Sequence, residues 1–209
     1  MSNTANNLRN VPLATSILIG INVLIFIVMY AIPSSQINQL YNAGVLSVPA
    51  LMQGHWWTLV TSMFLHGGFA HILCNMISLY YLGSMTEAVF GKGKFLILYF
   101  VSGIVGGLVY CGWNMMTGDA TGAVGASGAI FGLFGAYGYL LLRESRQNRI
   151  FVMKPGSQDL MSYGVMLAIN IVFGLTSAGI ANEAHLGGMV AGFIISAIMY
   201  PMILRRFGR

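Results

Sequence analysis

The sequence predicts an all-α fold: a polytopic membrane helix bundle of six transmembrane helices with both termini cytoplasmic. Composition is the first reason. Of 209 residues, 56% are hydrophobic and only 7% are charged, against about 25% charged in soluble domains. The second reason is where the ten Lys and Arg residues fall: Arg9; Lys92 and Lys94; Arg143, Arg146, Arg149 and Lys154; Arg205, Arg206 and Arg209. The third is what lies between those clusters. Each interval lacks Lys and Arg and is long enough for two helices of ~20 residues. If basic residues stay on the cytoplasmic side, each interval holds an even number of crossings, and together they hold six spans. The net charge of +5 is then an orientation signal, and no nucleic-acid partner is expected. The lipid bilayer is the expected surrounding, and the length leaves no room for a sizeable soluble domain. Cys74 and Cys111 lie in apolar runs without Cys-x-x-Cys or zinc-finger spacing, so they read as buried apolar residues, with no metal and no cofactor.

Residues 1–10 are polar and Asn-rich, a short cytoplasmic tail without the basic, amphipathic character of a mitochondrial presequence. Residues 11–209 read as a single six-helix membrane domain. Leu13–Ile32 is the first span, longer than the ~7–15-residue apolar core of a signal peptide and therefore a retained anchor. Asn22 within it is expected to bond a neighbouring helix. Residues 33–56 form an outer-face interfacial segment, too polar to span and too apolar to float. Trp56 and Trp57 stand at the aromatic-belt position. The second span runs from about Trp57 to Ala88, the third covers Phe95–Trp113, and Asn114–Thr121 is an outer loop. The fourth starts near Ser127 and ends at Leu142. Arg143–Gln158 is a polar inner loop, Leu160–Leu175 the fifth span, Thr176–Glu183 a small-residue outer loop, and Ala184–Leu204 the sixth span.

Polar residues at membrane depth carry the functional signal. Ser127 lies in Gly122–Gly132, a run rich in glycine and alanine, and by itself it is either a close-packing residue or a nucleophile. The soluble-enzyme Gly-x-Ser-x-Gly elbow is absent, because position 129 is Ala. His185 heads the sixth span beside Ala184, Gly188 and Gly192, which recur every four residues; it is a functional group or a boundary histidine. Depth brings these residues together. At 1.5 Å per residue Ser127 lies ~24 Å above Arg143, Asn75 ~25 Å above Lys92, and His71 and His185 ~30 Å above Lys92 and Arg205. Three helices thus deliver polar groups to one level in the outer half of a ~30 Å core. Serine needs a base to become a nucleophile, and neutral histidine is the usual one. His71 and Asn75, at i and i+4, share a helix face and can both donate to an oxyanion. Glu183 is two residues from His185 and cannot face it. Asp119 sits in a loop, and Glu87, Glu144 and Asp159 lie near the inner face. A Ser–His dyad without a triad carboxylate is expected.

These residues resemble the rhomboid intramembrane serine proteases. Gly125-Ala126-Ser127-Gly128 is similar to that family's Gly-x-Ser-Gly. His71-Ile72-Leu73-Cys74-Asn75, preceded by His66, is similar to its His-x-x-x-Asn. Ala184-His185-x-x-Gly188-x-x-x-Gly192 is similar to its last-helix signature. The resemblance covers nearly the whole chain and implies the basic six-helix bacterial form, in the plasma membrane, cutting single-span membrane proteins near their outer end at helix-destabilising, small-residue sites. It implies Ser127 as nucleophile, His185 as general base, and His71, Asn75 and the Ser127 backbone N–H as oxyanion hole. Gly125, Gly128, Phe131 and Gly188 are supporting residues. His66 is expected to bond within the outer loop region. The loop around Ile180 should cap a polar cavity open to the outside, and the fifth span should flank substrate entry. Two positions depart from the pattern: Thr58 stands where the family often has Arg, and Phe131 where it often has Tyr. Phe131 lies one turn below Ser127 and is expected to stack on His185. Two other readings compete, a catalytically idle rhomboid-like binder of membrane helices and a transporter using its histidines as a proton relay. The second lacks an acid at mid-depth. Nothing in the sequence fixes the oligomeric state.

Overall fold

The computed structural model describes residues 12–31, 34–119, 121–147, 157–176 and 179–206. The expected tail at 1–10 and residues 148–156 of the expected inner loop lie outside them. The chain is helical: α1 Leu13–Ala31, α2 Ser34–Gly44, α3 Val48–Met52, α4 Thr58–Thr61 with a 3-10 turn at Ser62–Phe64, α5 Phe69–Phe90, α6 Lys92–Thr117, α7 Ser127–Gln147, α8 Ser157–Thr176 and α9 Asn182–Arg206. Among the described residues the one β-type contact is an isolated antiparallel bridge, Leu46 with Ala123. By length and hydropathy α1, α6 and α9 can each cross a membrane, the bent pair Thr58–Phe64 and Phe69–Phe90 adds a fourth, and Leu160–Thr176 is a shorter apolar helix.

The second span, expected from about Trp57 to Ala88, is bent. It breaks at Leu65–Gly68, and its two parts meet at 97°. Gly67 and Gly68 lack the side chains that would favour helix there, and the bend puts His66 in the corner. The segment ahead of it, expected to be interfacial, is held by side chain to backbone bonds. Trp57 Nε1 donates to Ala43 O at 3.0 Å, and Thr61 Oγ1 to Gly44 O at 2.9 Å. Thr58, in place of a cation, is buried and donates to His55 O at 2.7 Å. Asn22, expected to bond a neighbouring helix, donates to Leu18 O one turn back at 2.8 Å and also interacts with the side chain of Tyr99 on α6.

Helix α7 is the centre of the bundle. Ile130, Leu133, Phe134 and Ala136 have no exposed surface, so lipid never meets this stretch. Helix α9 lies along it in parallel, with a constant offset. A Cβ at Gly188 would overlap Gly128 O, and one at Gly192 would overlap Gly132 O. One turn further on, Ser196 Oγ donates to Ala136 O at 3.2 Å. This is the close, small-residue packing that membrane helices use where hydrophobic burial gives no drive. The face Ala184–Gly188–Gly192 is the one that packs.

Helix α8 is attached differently. Among its described side chains only Gly174 is buried. Polar pegs hold it. Tyr163 Oη donates to Phe134 O at 3.1 Å, Asn170 Nδ2 donates to Ser78 Oγ at 2.9 Å, and Asn182 Nδ2 donates to Gly174 O at 3.1 Å.

At the other end of the bundle, buried Glu87 on α5 caps α1. Its carboxylate accepts from Ala14 N at 3.1 Å, Thr15 N at 2.8 Å and Thr15 Oγ1 at 2.8 Å. A helix N-terminus leaves N–H groups unpaired and carries partial positive charge, so a carboxylate there satisfies both. Replacing Glu87 by Ala leaves those donors buried and unpaired. The expected outcome is a loss of about 2 kcal/mol in stability, measured by reversible unfolding in detergent.

Candidate active site

The lead-in to α7 is pinned from three sides. Leu46 N donates to Ala123 O at 3.1 Å and Ala123 N to Leu46 O at 2.8 Å; Gly125 N donates to Ser62 O at 2.9 Å. Tyr110 Oη, from α6, donates to Thr121 O at 2.9 Å. Gly125 has φ 124°, a backbone conformation that L side chains rarely adopt. The helix starts immediately afterwards, with Ile130 N donating to Ala126 O at 3.0 Å. Ser127 is therefore the first helical residue, where backbone N–H groups have no partner within the helix and the dipole is positive.

Helix α9 brings His185 to this point. Its Nε2 lies 2.9 Å from Ser127 Oγ. The imidazole lies flat on Phe131, with ring centroids 4.2 Å apart and planes within 5°. The Gly128–Gly188 contact lies just below the pair, where the two backbones touch. His185 is 7% exposed, and among the described residues no carboxylate is hydrogen-bonded to it. Asp119 Oδ1 instead accepts from Thr121 N at 2.8 Å in an exposed turn.

Helix α5 brings His71 and Asn75. A Cβ at Gly125 would lie 2.7 Å from His71 Nε2 and 3.4 Å from Asn75 Nδ2, so both side chains crowd the backbone just before Ser127. Both nitrogens are buried without a hydrogen-bond partner among the described residues. Unpaired buried donors are rare, since each forgoes the bonds it had in water. Here two of them converge beside a helix N-terminus. His66 stands edge-on to His71, with ring centroids 5.2 Å apart. It is buried, and its ring interacts with the backbone of Phe64 in the bend.

A cavity of about 30 Å³ adjoins Ser127, bordered by His71, Gly103, Gly107, Ile180 and Ala184 among others. It has room for about one water, smaller than the open cavity expected from the sequence. Ile180 and Ala181 form part of its wall.

Residues 53–202 match the family model described as the rhomboid domain. The chain belongs to the rhomboid family. It is 31% identical over 190 residues to rhomboid protease GluP of Bacillus subtilis, covering 90% of this chain and 35% of that protein. It is 35% identical over 163 residues to RHOMBOID-like protein 5 of Arabidopsis thaliana, 78% of this chain and 50% of that one. To rhomboid protease AarA of Providencia stuartii it is 30% identical over 210 residues, 91% of this chain and 74% of that one. The chain thus spans a third to a half of the first two relatives. As a rhomboid-family protein with several apolar helices it is a multi-pass membrane protein.

Gly174 and Asn182 also border the rhomboid site, and the sequence motifs do not include them. A Cβ at Gly174 would lie 2.6 Å from Asn182 Oδ1 and 3.5 Å from His185 Nδ1. The i, i+3 spacing of Asn182 and His185, which puts both on one helix face, is a signal for Asn182; no local pattern points to Gly174.

Gly125→Ala is the sharpest probe of this geometry, because it strains the backbone and drives a methyl into His71. A fluorophosphonate probe is expected to label Ser127 at least tenfold more slowly in this variant, measured as a labelling rate in detergent micelles.

Proposed function

We propose that this protein is an intramembrane serine endopeptidase that cuts single-span membrane proteins near the outer ends of their helices. The supporting observation is the 2.9 Å contact between Ser127 Oγ and His185 Nε2, at a helix N-terminus flanked by two unpaired donors. Relatives named as rhomboid proteases support the same reading. The proposal includes six spans with cytoplasmic ends, in a bacterial plasma membrane.

In this mechanism His185 Nε2 takes the proton of Ser127 as Oγ bonds to the substrate carbonyl carbon. The carbonyl oxygen becomes an oxyanion, and His71 Nε2, Asn75 Nδ2 and the Ser127 N–H donate to it. As the C–N bond breaks, His185 hands its proton to the departing amine. The acyl group stays on Ser127 as an ester. His185 then deprotonates a water, which attacks the ester carbon through a second oxyanion. Ser127 leaves with the proton from His185, and the carboxylic acid product is released. Burial strengthens each of these hydrogen bonds. The bend in the second span serves this chemistry, since the 97° corner aims the start of α5, and with it His71, at the N-terminus of α7.

Ser127→Ala or His185→Ala is expected to abolish cleavage of a reconstituted single-span substrate. Asn75→Ala is expected to slow it by about 10²-fold, the usual worth of one oxyanion donor. Full cleavage by Ser127→Ala ends the proposal. A wild-type protein that binds the substrate helix but neither cuts it nor reacts with a fluorophosphonate would be the idle binder instead.

A further inference from the structure

Accepting the Ser127–His185 dyad, the geometry points to Asn182 as a positioning residue for His185, acting by pinning Gly174 of α8 behind the imidazole. The problem it solves is specific to a dyad. A base that accepts a proton at Nε2 carries its own hydrogen on Nδ1. In serine hydrolases with a third acid, a carboxylate holds that nitrogen and fixes the ring. No described carboxylate is bonded to His185, so ring orientation rests on contacts alone.

Three contacts enclose the ring. Phe131 lies flat against one face at 4.2 Å. Ser127 meets Nε2 at 2.9 Å. On the third side the backbone of Gly174 stands close behind the ring, so that a methyl placed on it would just reach contact, 3.5 Å from Nδ1 and 3.6 Å from Cε1. Stacking fixes the plane of the ring but lets it turn and slide within that plane. The wall at the Nδ1–Cε1 edge is what opposes that motion.

That wall belongs to the most sparsely attached long helix of the bundle. Gly174 is the one buried residue among the described side chains of α8, and the helix is otherwise held by polar pegs. Its placement near His185 depends on the bond from Asn182 Nδ2 to Gly174 O at 3.1 Å. Asn182 is the first residue of α9 and His185 is three residues on, so the bond references α8 to the same helical turn that carries the base. The fit is tight on the amide side, where the same methyl on Gly174 would lie 2.6 Å from Asn182 Oδ1, with ordinary contact distance on the imidazole side. Glycine lets the Asn182 amide reach this backbone unobstructed.

The test uses the full-length protein in liposomes, with Asn170→Ala as the reference variant. Asn170→Ala removes a peg from the same helix, the one to Ser78, without touching the dyad. Asn182→Ala and Gly174→Ala are each expected to lower kcat for a single-span substrate by about tenfold while KM stays within about twofold. Labelling of Ser127 by a small fluorophosphonate, which needs no docked helix, is expected to slow by the same factor. The double variant is expected to lose little more than either single one, as two halves of one contact do. Asn170→Ala is expected to keep wild-type labelling. Equal losses in Asn182→Ala and Asn170→Ala would reduce the effect to loosening of α8 and overturn the proposal. So would wild-type labelling in Asn182→Ala. Should Asn182→Ala fail to fold, Gly174→Ala against Asn170→Ala makes the same comparison. A wild-type protein that never labels defeats the dyad itself, a result separable from failure of the clamp.

Discussion

Backbone meets backbone where α7 and α9 run side by side. Gly188 sits on the carbonyl of Gly128 and Gly192 on that of Gly132, with no side chain between. Side-chain packing can slide by fractions of an ångström as rotamers adjust. Contact between two rigid backbones cannot, because any shift opens a gap or drives atoms together. The register of the two helices is thereby fixed at the very turns that carry Ser127 and His185, and their 2.9 Å approach follows from that register. Everything else around Ser127, including the pinned lead-in, the donors on α5 and the stacked Phe131, is arranged about this fixed pair.

Among the described residues, buried polar atoms without a hydrogen-bond partner also occur at Ser102 and Asn114, so a missing partner does not by itself mark a site. Glu87 accepts three bonds, and Ser78 and Asn170 pair across two helices. What sets the unpaired nitrogens of His71 and Asn75 apart is that both lie against Gly125 at the start of α7, which supports the proposed oxyanion role.

Much of this is legible in the sequence. The spacing of His71 and Asn75 fixes a shared helix face whatever the tertiary fold. Counting residues from basic clusters puts Ser127 and His185 at one depth without any knowledge of contacts. The recurrence at Ala184, Gly188 and Gly192 announces a packing face. The family follows from the three motifs together, and the rhomboid domain match covers them. The break in the second span is not legible in the same way, although Gly67-Gly68 is visible. Apolar residues continue on both sides, and hydropathy does not register a change of direction. The cap on α1 escapes notice because Glu87 lies 72 residues from Thr15, and no local pattern pairs them. Gly174 looks like any glycine in an apolar run. Its role depends on what stands opposite, which a linear pattern cannot express.

The sparse attachment of α8 bears on how this part of the sequence is free to vary. Ile169, Val172 and Leu175 are all exposed, and a surface that meets only acyl chains asks of its residues nothing but apolarity. Drift among Leu, Ile, Val, Phe and Met on that surface costs the fold almost nothing. Positions such as Tyr163 and Gly174, which touch the bundle at isolated points, are less free to change. Among distant homologues, two segments with scarcely an apolar residue in common could therefore be the same helix, recognisable by the spacing of its few fixed points.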